Sequence, residues 1–256
     1  VTNRSASTCF SPVMTIHFPN GNLVRRFVER LAGKNIYAPS TIFRWLLRST
    51  RPNPFRDSND LHRCIFVHVP RAAGTSVANA LFEEGDRGHI PLYAYQSFDA
   101  DRYQRYTKIA FVRNPYSRLV SAFHQVKFNA HNEKVQAWAE RYLSDIDTFD
   151  VFLDRLHASL SFRLVVMSLA HFRPQWEFLM IDGEIAVDFL GRFETINRDF
   201  ERLAEQLSVD ARLGHMNRSD HDAYLSYYTE STSAIVRRIY QKDFALLDYT
   251  MMPQES

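Results

Sequence analysis

The segment Gly74–Ser76 has the residue types of a phosphate-binding turn. It follows an apolar, β-favouring run that ends at Pro70, and it opens a stretch with helical spacing. The first turn of a helix offers unpaired N–H groups, Gly74 allows close backbone approach, and the two hydroxyl residues add donors. Arg71 supplies a fixed cation with up to five N–H donors. The loop predicts a phosphate cradle, although a plain turn capped by Thr75, with Arg71 in solvent, fits the same residues.

Arg113 and Ser121 could bind a second anion. Arg113 ends another apolar run, Lys108–Val112, and Asn114-Pro115 then opens a helix with proline in its tolerated first turn. The helix has an apolar face at i, i+3, i+4 and i+7, formed by Tyr116, Leu119, Val120 and Phe123, and a polar stripe formed by Ser117, Ser121 and His124. We expect Arg113 and Ser121 to face one anion. For Ser117 and His124 taken alone, the solvated side of a core helix is the better interpretation.

The two loops differ from those of ATP-dependent kinases. In a Walker A loop, glycine would stand at Val69 and lysine at Thr75. A Walker B strand would end in a magnesium-binding Asp where this chain has Arg113. Two anion sites at neighbouring strand ends, with no metal ligand between them, instead suit a nucleotide phosphorylated at its 5′ and 3′ positions. 3′-Phosphoadenosine-5′-phosphosulfate (PAPS) fits that description.

Two strand–loop–helix units in succession predict an α/β fold with right-handed crossovers. We expect a parallel sheet flanked by helices in a single domain at residues 61–256. Residues 1–60 are predicted to form an N-terminal extension that is partly disordered and contains short basic helices, with a Pro/Asn/Asp-rich linker at residues 51–60. Residues 135–180 are predicted to be mainly helical, and a further strand is expected in AVDFLGRF.

Composition narrows the classes of partner. The 256 residues, 45% of them hydrophobic, are enough to bury a full core. A formal net charge of +2 gives no reason to expect a nucleic acid partner, and the two cysteines, Cys9 and Cys64, form no disulfide framework or metal set. No apolar run approaches the roughly 18 to 20 residues that span a bilayer, so we expect a soluble chain without a transmembrane segment. The oligomeric state stays open.

The chain resembles the PAPS-dependent sulfotransferases. FVHVPRAAGTS is similar to their 5′-phosphosulfate loop and FVRNPYSRLVSAF to their 3′-phosphate motif. The most similar subgroup is the family-2 carbohydrate sulfotransferases, which includes heparan sulfate 2-O-sulfotransferase and bacterial relatives. The resemblance covers residues 63–249 and extends to three later segments: HFRPQWEFL, VDFLGRFETINRDFERL and IYQKDFALLDY.

The resemblance implies a P-loop-like domain that moves a sulfuryl group from the co-substrate PAPS to a hydroxyl of a carbohydrate-type acceptor, without a metal. It implies adenosine 3′,5′-bisphosphate as the by-product. The residues implied for the 5′-phosphosulfate are Arg71, Ala73, Gly74, Thr75 and Ser76, and those for the 3′-phosphate are Arg113 and Ser121.

His89 is the best candidate for a catalytic base among the ten histidines. It follows the first predicted helix, where another loop at the sheet edge would reach the sulfate, although an isolated histidine is usually structural or solvated. The Gly-His pair resembles the catalytic-base segment of the 2-O-sulfotransferase branch, which implies that His89 takes the acceptor's proton. An imidazole can do so at neutral pH.

Arg71 departs from the family, which usually has lysine at this position. Arginine cannot donate its proton at accessible pH, but its paired hydrogen bonds can stabilise charge on a departing phosphate. We therefore expect Arg71 to assist catalysis electrostatically. Weaker candidates are His171 and Gln175, in an acceptor cleft or in the core, Glu194, at a helix start or beside an arginine, and Asn217–Ser219, in a loop over the nucleotide.

Two other classes of function remain open. One is a P-loop nucleoside or sugar kinase, and the other is a non-catalytic module that binds a nucleotide or glycan. The expected compartment depends on the source of the chain: the cytoplasm for a bacterial protein, or the Golgi lumen for a eukaryotic protein with a membrane anchor outside this chain.

Overall fold

The computed structural model describes residues 53–83, 88–214 and 221–252, all within a compact unit that spans Tyr37–Ser256. The predictions for residues 1–52, including the basic helices, lie outside the described residues. So does the predicted nucleotide-covering loop at Asn217–Ser219.

Strands and helices alternate first, and a mainly helical stretch follows. The first elements are α1 (Asp57–His62), β1 (Cys64–Val67), α2 (Gly74–Phe82), α3 (Leu92–Phe98), α4 (Ala100–Arg105), β2 (Thr107–Val112) and α5 (Pro115–Phe128). The next are α6 (Glu133–Tyr142), α7 (Phe149–Ala158), α8 (Leu160–Ser168), α9 (Trp176–Leu179), β3 (Met180–Ile181), β4 (Glu184–Ile185) and β5 (Phe189–Arg192). The last are a 3₁₀ turn (Phe193–Thr195), α10 (Ile196–Leu207), a second 3₁₀ turn (His221–Tyr227), α11 (Glu230–Ile239) and α12 (Gln241–Leu246).

The main sheet is parallel and has the strand order β1-β2-β5. Cys64 lies beside Thr107, and Ile109 lies beside Phe189. All of β1 and the last four residues of β2 are buried, as a parallel sheet covered on both faces requires. The predicted α/β fold, a parallel sheet flanked by helices in one domain, is confirmed for the described residues. The loops after β1 and β2 therefore leave the same edge of the sheet, where open α/β folds bind ligands.

Alternate strand residues pack on opposite faces of the sheet. Cys64 and Phe66 share a buried cluster with α2 and α10, whereas Ile65 and Val67 share one with α3 and α9. A third cluster joins α5 to the later helices around Phe123. Helix α5 thus lies between the sheet edge and the helical half of the chain.

Packing also involves residues on the amino-terminal side of the predicted boundary at Leu61. The buried ring of Phe55 lies 5.2 Å from that of Tyr95, and the side chain of Asn59 donates to the carbonyl oxygen of Cys64 at 2.7 Å. The boundary at Leu61 itself stays a prediction. Within the described segments, no helix is both long and apolar enough to cross a membrane.

Candidate active site

The loops that follow β1 and β2 line one cleft of about 1760 Å³. The predicted site residues on its walls are Arg71, Ala73, Gly74, Thr75, Ser76, His89 and Arg113. Nη1 of Arg113 donates to the backbone carbonyl of Arg71 at 3.4 Å, so the two loops touch. Ser121 is not part of the cleft wall, because it is buried behind the guanidinium of Arg71. The structure therefore brings both predicted anion loops, and the predicted base, to the same cleft.

The loop after β1 enters α2 through two residues with left-handed backbone conformations. Arg71 has φ 65° and Ala73 has φ 61°, and Ala73 is the N-cap of α2. No side chain among the described residues caps this helix, so Thr75 does not have the capping role that the alternative interpretation gave it. The first-turn N–H groups of α2 therefore remain available to an anion in the cleft.

Gly74 is required by its contact with His68, which the sequence patterns do not identify. A Cβ at Gly74 would lie only 1.8 Å from Cδ2 of the buried His68 ring. Gly74 does allow a close approach, and the group that comes close is an imidazole of the protein. The approach of a phosphate to this backbone stays a prediction. A side chain at this position would displace His68 at the start of the loop.

Arg71 is held by two polar side chains of α5, Ser121 and Gln125. Its Nε and Nη2 donate to Oγ of Ser121 at 3.0 and 2.9 Å, and Nη1 donates to Oε1 of Gln125 at 3.0 Å. Burial lowers the pKa of this guanidinium. Three of its five N–H groups are thus engaged, which leaves two for a ligand.

Arg113 contacts Ser117, one helical turn away, whereas Ser121 lies a further turn along α5 and meets Arg71. Nε of Arg113 donates to Oγ of Ser117 at 2.8 Å. The polar stripe is therefore real, but Ser117, which we assigned to solvent, is the residue that touches Arg113. A shared anion for Arg113 and Ser121 stays a prediction.

Arg113 is 4% exposed, and the described groups that contact its guanidinium are neutral. Its Cζ lies 4.0 Å from the centre of the Phe193 ring, a favourable cation–π geometry. Burial lowers the pKa of Arg113 to about 10, with Glu194 opposing the shift and Arg71 adding to it, so the group is still charged at neutral pH. Among the described residues, neither Arg71 nor Arg113 forms an ion pair with a carboxylate.

Three imidazoles meet at the cleft beside Arg71. The centre of the His89 ring lies 4.6 Å from the centre of the His68 ring and 5.4 Å from the centre of the His171 ring. Nδ1 of His89 is 3.2 Å from the carbonyl oxygen of His68. Because a carbonyl oxygen can only accept, Nδ1 carries the proton and Nε2 keeps the lone pair that a general base needs.

The weaker candidates divide between cleft and core. His171 lines the cleft, whereas the side chain of Gln175 is fully buried and bonds to the backbone of Arg113. Glu194 accepts from the N–H of Asn114 at 2.7 Å, at the start of α5, as one interpretation expected. These roles depend on contacts between segments far apart in the chain, which local patterns do not reveal.

His171 should make stability pH-dependent. Burial, together with the nearby His89 and Arg71, lowers the pKa of His171 from 6.5 to about 4. Between these values the unfolded chain binds a proton that the folded chain does not, so stability falls as the pH falls from about 6.5 towards 4. Urea unfolding at pH 7 and pH 5 should show that wild type loses about 2 kcal/mol more than His171→Gln. Equal losses in both proteins would show that His171 is not held neutral.

Comparison with known proteins relates this chain to a protein family. The chain is 27% identical over 225 residues to carbohydrate sulfotransferase 12 of Mus musculus, a match that covers 78% of this chain and 51% of the relative. It thus spans about half the length of that curated relative, and no solved structure shows significant similarity to it. The predicted family is confirmed, whereas the closer likeness to heparan sulfate 2-O-sulfotransferase stays a prediction. Residues 57–250, well over half of the chain, match the model described as the sulfotransferase family, and the chain belongs to that family.

Proposed function

We propose that this chain transfers a sulfuryl group from PAPS to a hydroxyl of a carbohydrate-type acceptor. The observation that carries the proposal is the pair of guanidiniums, Arg71 and Arg113, on the wall of one cleft without a carboxylate partner among the described residues. Buried charge is costly unless it is compensated, and the phosphates of a bound nucleotide would compensate it. Membership in the sulfotransferase family supports the donor, and the name of the mouse relative supports a carbohydrate acceptor.

The residues present suit a nucleotide with two separate phosphate groups. The first turn of α2, at Ala73–Ser76, is proposed to bind the 5′-phosphosulfate through its N–H groups and hydroxyls. Arg113 uses two of its five N–H groups within the protein and keeps three for the 3′-phosphate. Ser121 is proposed to support that phosphate, although its burial and its bonds to Arg71 make its direct contribution the smaller one.

The chemistry requires a base and a group that stabilises the leaving phosphate. When bound, PAPS supplies the sulfuryl group, which passes to the acceptor oxygen as the bond to the 5′-phosphate breaks. Nε2 of His89 takes the proton of the acceptor hydroxyl, since Nδ1 is oriented by the carbonyl of His68. The two remaining N–H groups of Arg71 stabilise the charge on the leaving phosphate. We propose that these donors perform this task without a metal.

Nucleotide binding tests the proposal directly. Adenosine 3′,5′-bisphosphate without magnesium should raise the melting temperature more than AMP or ADP does, because only the bisphosphate reaches both arginines. At a ligand concentration of 100 times Kd the gain is about 2.7 kcal/mol, or roughly 5–11 °C for a chain of this size. Greater stabilisation by ADP with magnesium would instead support the kinase alternative.

Replacing the proposed base should separate catalysis from binding. His89→Asn is expected to lower kcat by about 10²- to 10⁴-fold, because the proton acceptor is lost. The release of adenosine 3′,5′-bisphosphate from PAPS, measured with a panel of glycan acceptors, checks this. The melting shift with the bisphosphate should stay at its wild-type value, and His157→Asn, at an exposed position on α7, serves as the matched control. Undiminished turnover in His89→Asn would remove this residue from the mechanism.

Arg71 should act through its charge and its paired donors. Arg71→Ala is expected to lower kcat by about 10²- to 10³-fold, the usual cost of losing a donor to developing charge. Arg71→Lys keeps the charge but loses the paired N–H donors of the guanidinium, so it should retain more activity than the alanine variant. If wild type binds the bisphosphate and moves sulfate to no acceptor, the non-catalytic module becomes the better description.

A further inference from the structure

The backbone of Arg113 is held by the side chain of Gln175. The N–H of Arg113 donates to Oε1 of Gln175 at 2.9 Å, and Nε2 of Gln175 donates to the carbonyl oxygen of Arg113 at 2.7 Å. The side-chain amide of Gln175 therefore pairs with both backbone polar groups of Arg113, directly after β2. Gln175 is fully buried and does not line the cleft, so it acts on the ligand-facing guanidinium only through the position of this backbone.

Gln175 is in turn held by Asp243, in α12 near the end of the described chain. Oδ2 of Asp243 accepts from the N–H of Gln175 at 3.0 Å, and Oδ1 accepts from the N–H of Trp176 at 2.9 Å. Asp243 is also fully buried, and burial raises its pKa to about 6, so the carboxylate is ionised at neutral pH. Both of its oxygens are thus used to fix the segment that carries the amide.

Asn114, the residue after Arg113, is also linked to the C-terminal segment, through Glu194 and Tyr249. Oε1 of Glu194 accepts from the N–H of Asn114 at 2.7 Å, while Oε2 accepts from the hydroxyl of Tyr249 at 3.0 Å. Glu194 also lines the cleft, and its charge opposes the lowering of the pKa of Arg113 that burial causes. Its bonds to Asn114 and Tyr249 hold this carboxylate in a place where it does not form an ion pair with Arg113.

We propose that Asp243 and Gln175 are positioning residues for the second anion subsite, and that through Arg113 they set the preference for a nucleotide that carries a 3′-phosphate. This rests on the proposed function, which assigns Arg113 to that phosphate. Charge-assisted hydrogen bonds depend steeply on the placement of their donors, and supporting contacts keep such donors in place. Tyr249 contributes by keeping Glu194 from competing with the phosphate.

The ratio of two dissociation constants tests the proposal. Isothermal titration of the full chain with adenosine 3′,5′-bisphosphate and with AMP gives the preference for the 3′-phosphate as Kd(AMP)/Kd(bisphosphate). Asp243→Asn replaces one acceptor oxygen with an NH₂ group that faces a backbone donor, and Gln175→Met removes both bonds to Arg113. Each variant is expected to lower the ratio about tenfold, roughly the value of one charge-assisted hydrogen bond, with Kd for AMP nearly unchanged.

A general loss of stability would not produce this result. Leu156→Ala, at a buried position in α7 away from the cleft, is the matched control and should lower the melting temperature while leaving the ratio at its wild-type value. Tyr249→Phe removes a single hydroxyl from the same network, should fold even if the buried variants do not, and is expected to lower the ratio about threefold.

The outcomes separate the two proposals. A wild-type chain that does not prefer the bisphosphate to AMP would overturn the proposed function itself. A wild-type chain that has the preference, together with folded variants that retain it in full, would overturn the positioning role of Asp243 and Gln175 alone. A fall in both affinities by the same factor would also overturn it, since that is the result of a purely structural role.

Discussion

Two positive charges share one cleft wall, and the groups that contact them directly are neutral. Arg71 is bound by a hydroxyl and an amide, and Arg113 by a hydroxyl, a carbonyl and an aromatic face. Burial makes both charges less favourable and lowers the pKa of each guanidinium, and the charge of Arg71 adds to the lowering at Arg113. A fold that surrounds its cations with carboxylates would be more stable without a ligand but would bind an anion weakly. In the proposed function the ligand provides this compensation, and α5, which contacts both arginines, sets the spacing of the charges.

Local patterns in the sequence predict the fold and the two loops that line the cleft. The runs before Pro70 and Arg113 have the length and β-branched content of buried strands, and Asn114 caps α5 with Pro115 in the first turn, as expected. These signals are local because each concerns a strand or helix and the turn beside it. The pairing of the serines was not predictable in this way, because it depends on how far the loop after β1 reaches across α5.

The parts of the site that the sequence does not reveal depend on contacts between distant segments. His89 was identified as the best candidate base, but its tautomer is set by a carbonyl twenty-one residues earlier, and the third imidazole, His171, comes from a different part of the chain. His68 follows a buried strand and has no neighbouring pattern that marks it, yet it explains why glycine stands at residue 74. Polar groups buried in such clusters are recognised only when the fold brings their partners together.

The contacts of Asp243 and Tyr249 also bear on how the protein matures. Both residues lie near the end of the family match at residues 57–250, whereas the sheet edge that they complete is formed from β1 and β2, much earlier in the chain. Domains fold as units during synthesis, as their last contacts become available. A nascent chain still attached to the ribosome can therefore form the strand-loop-helix framework, but Gln175, which holds the backbone of Arg113, acquires its own bond to Asp243 only when nearly the whole domain has emerged.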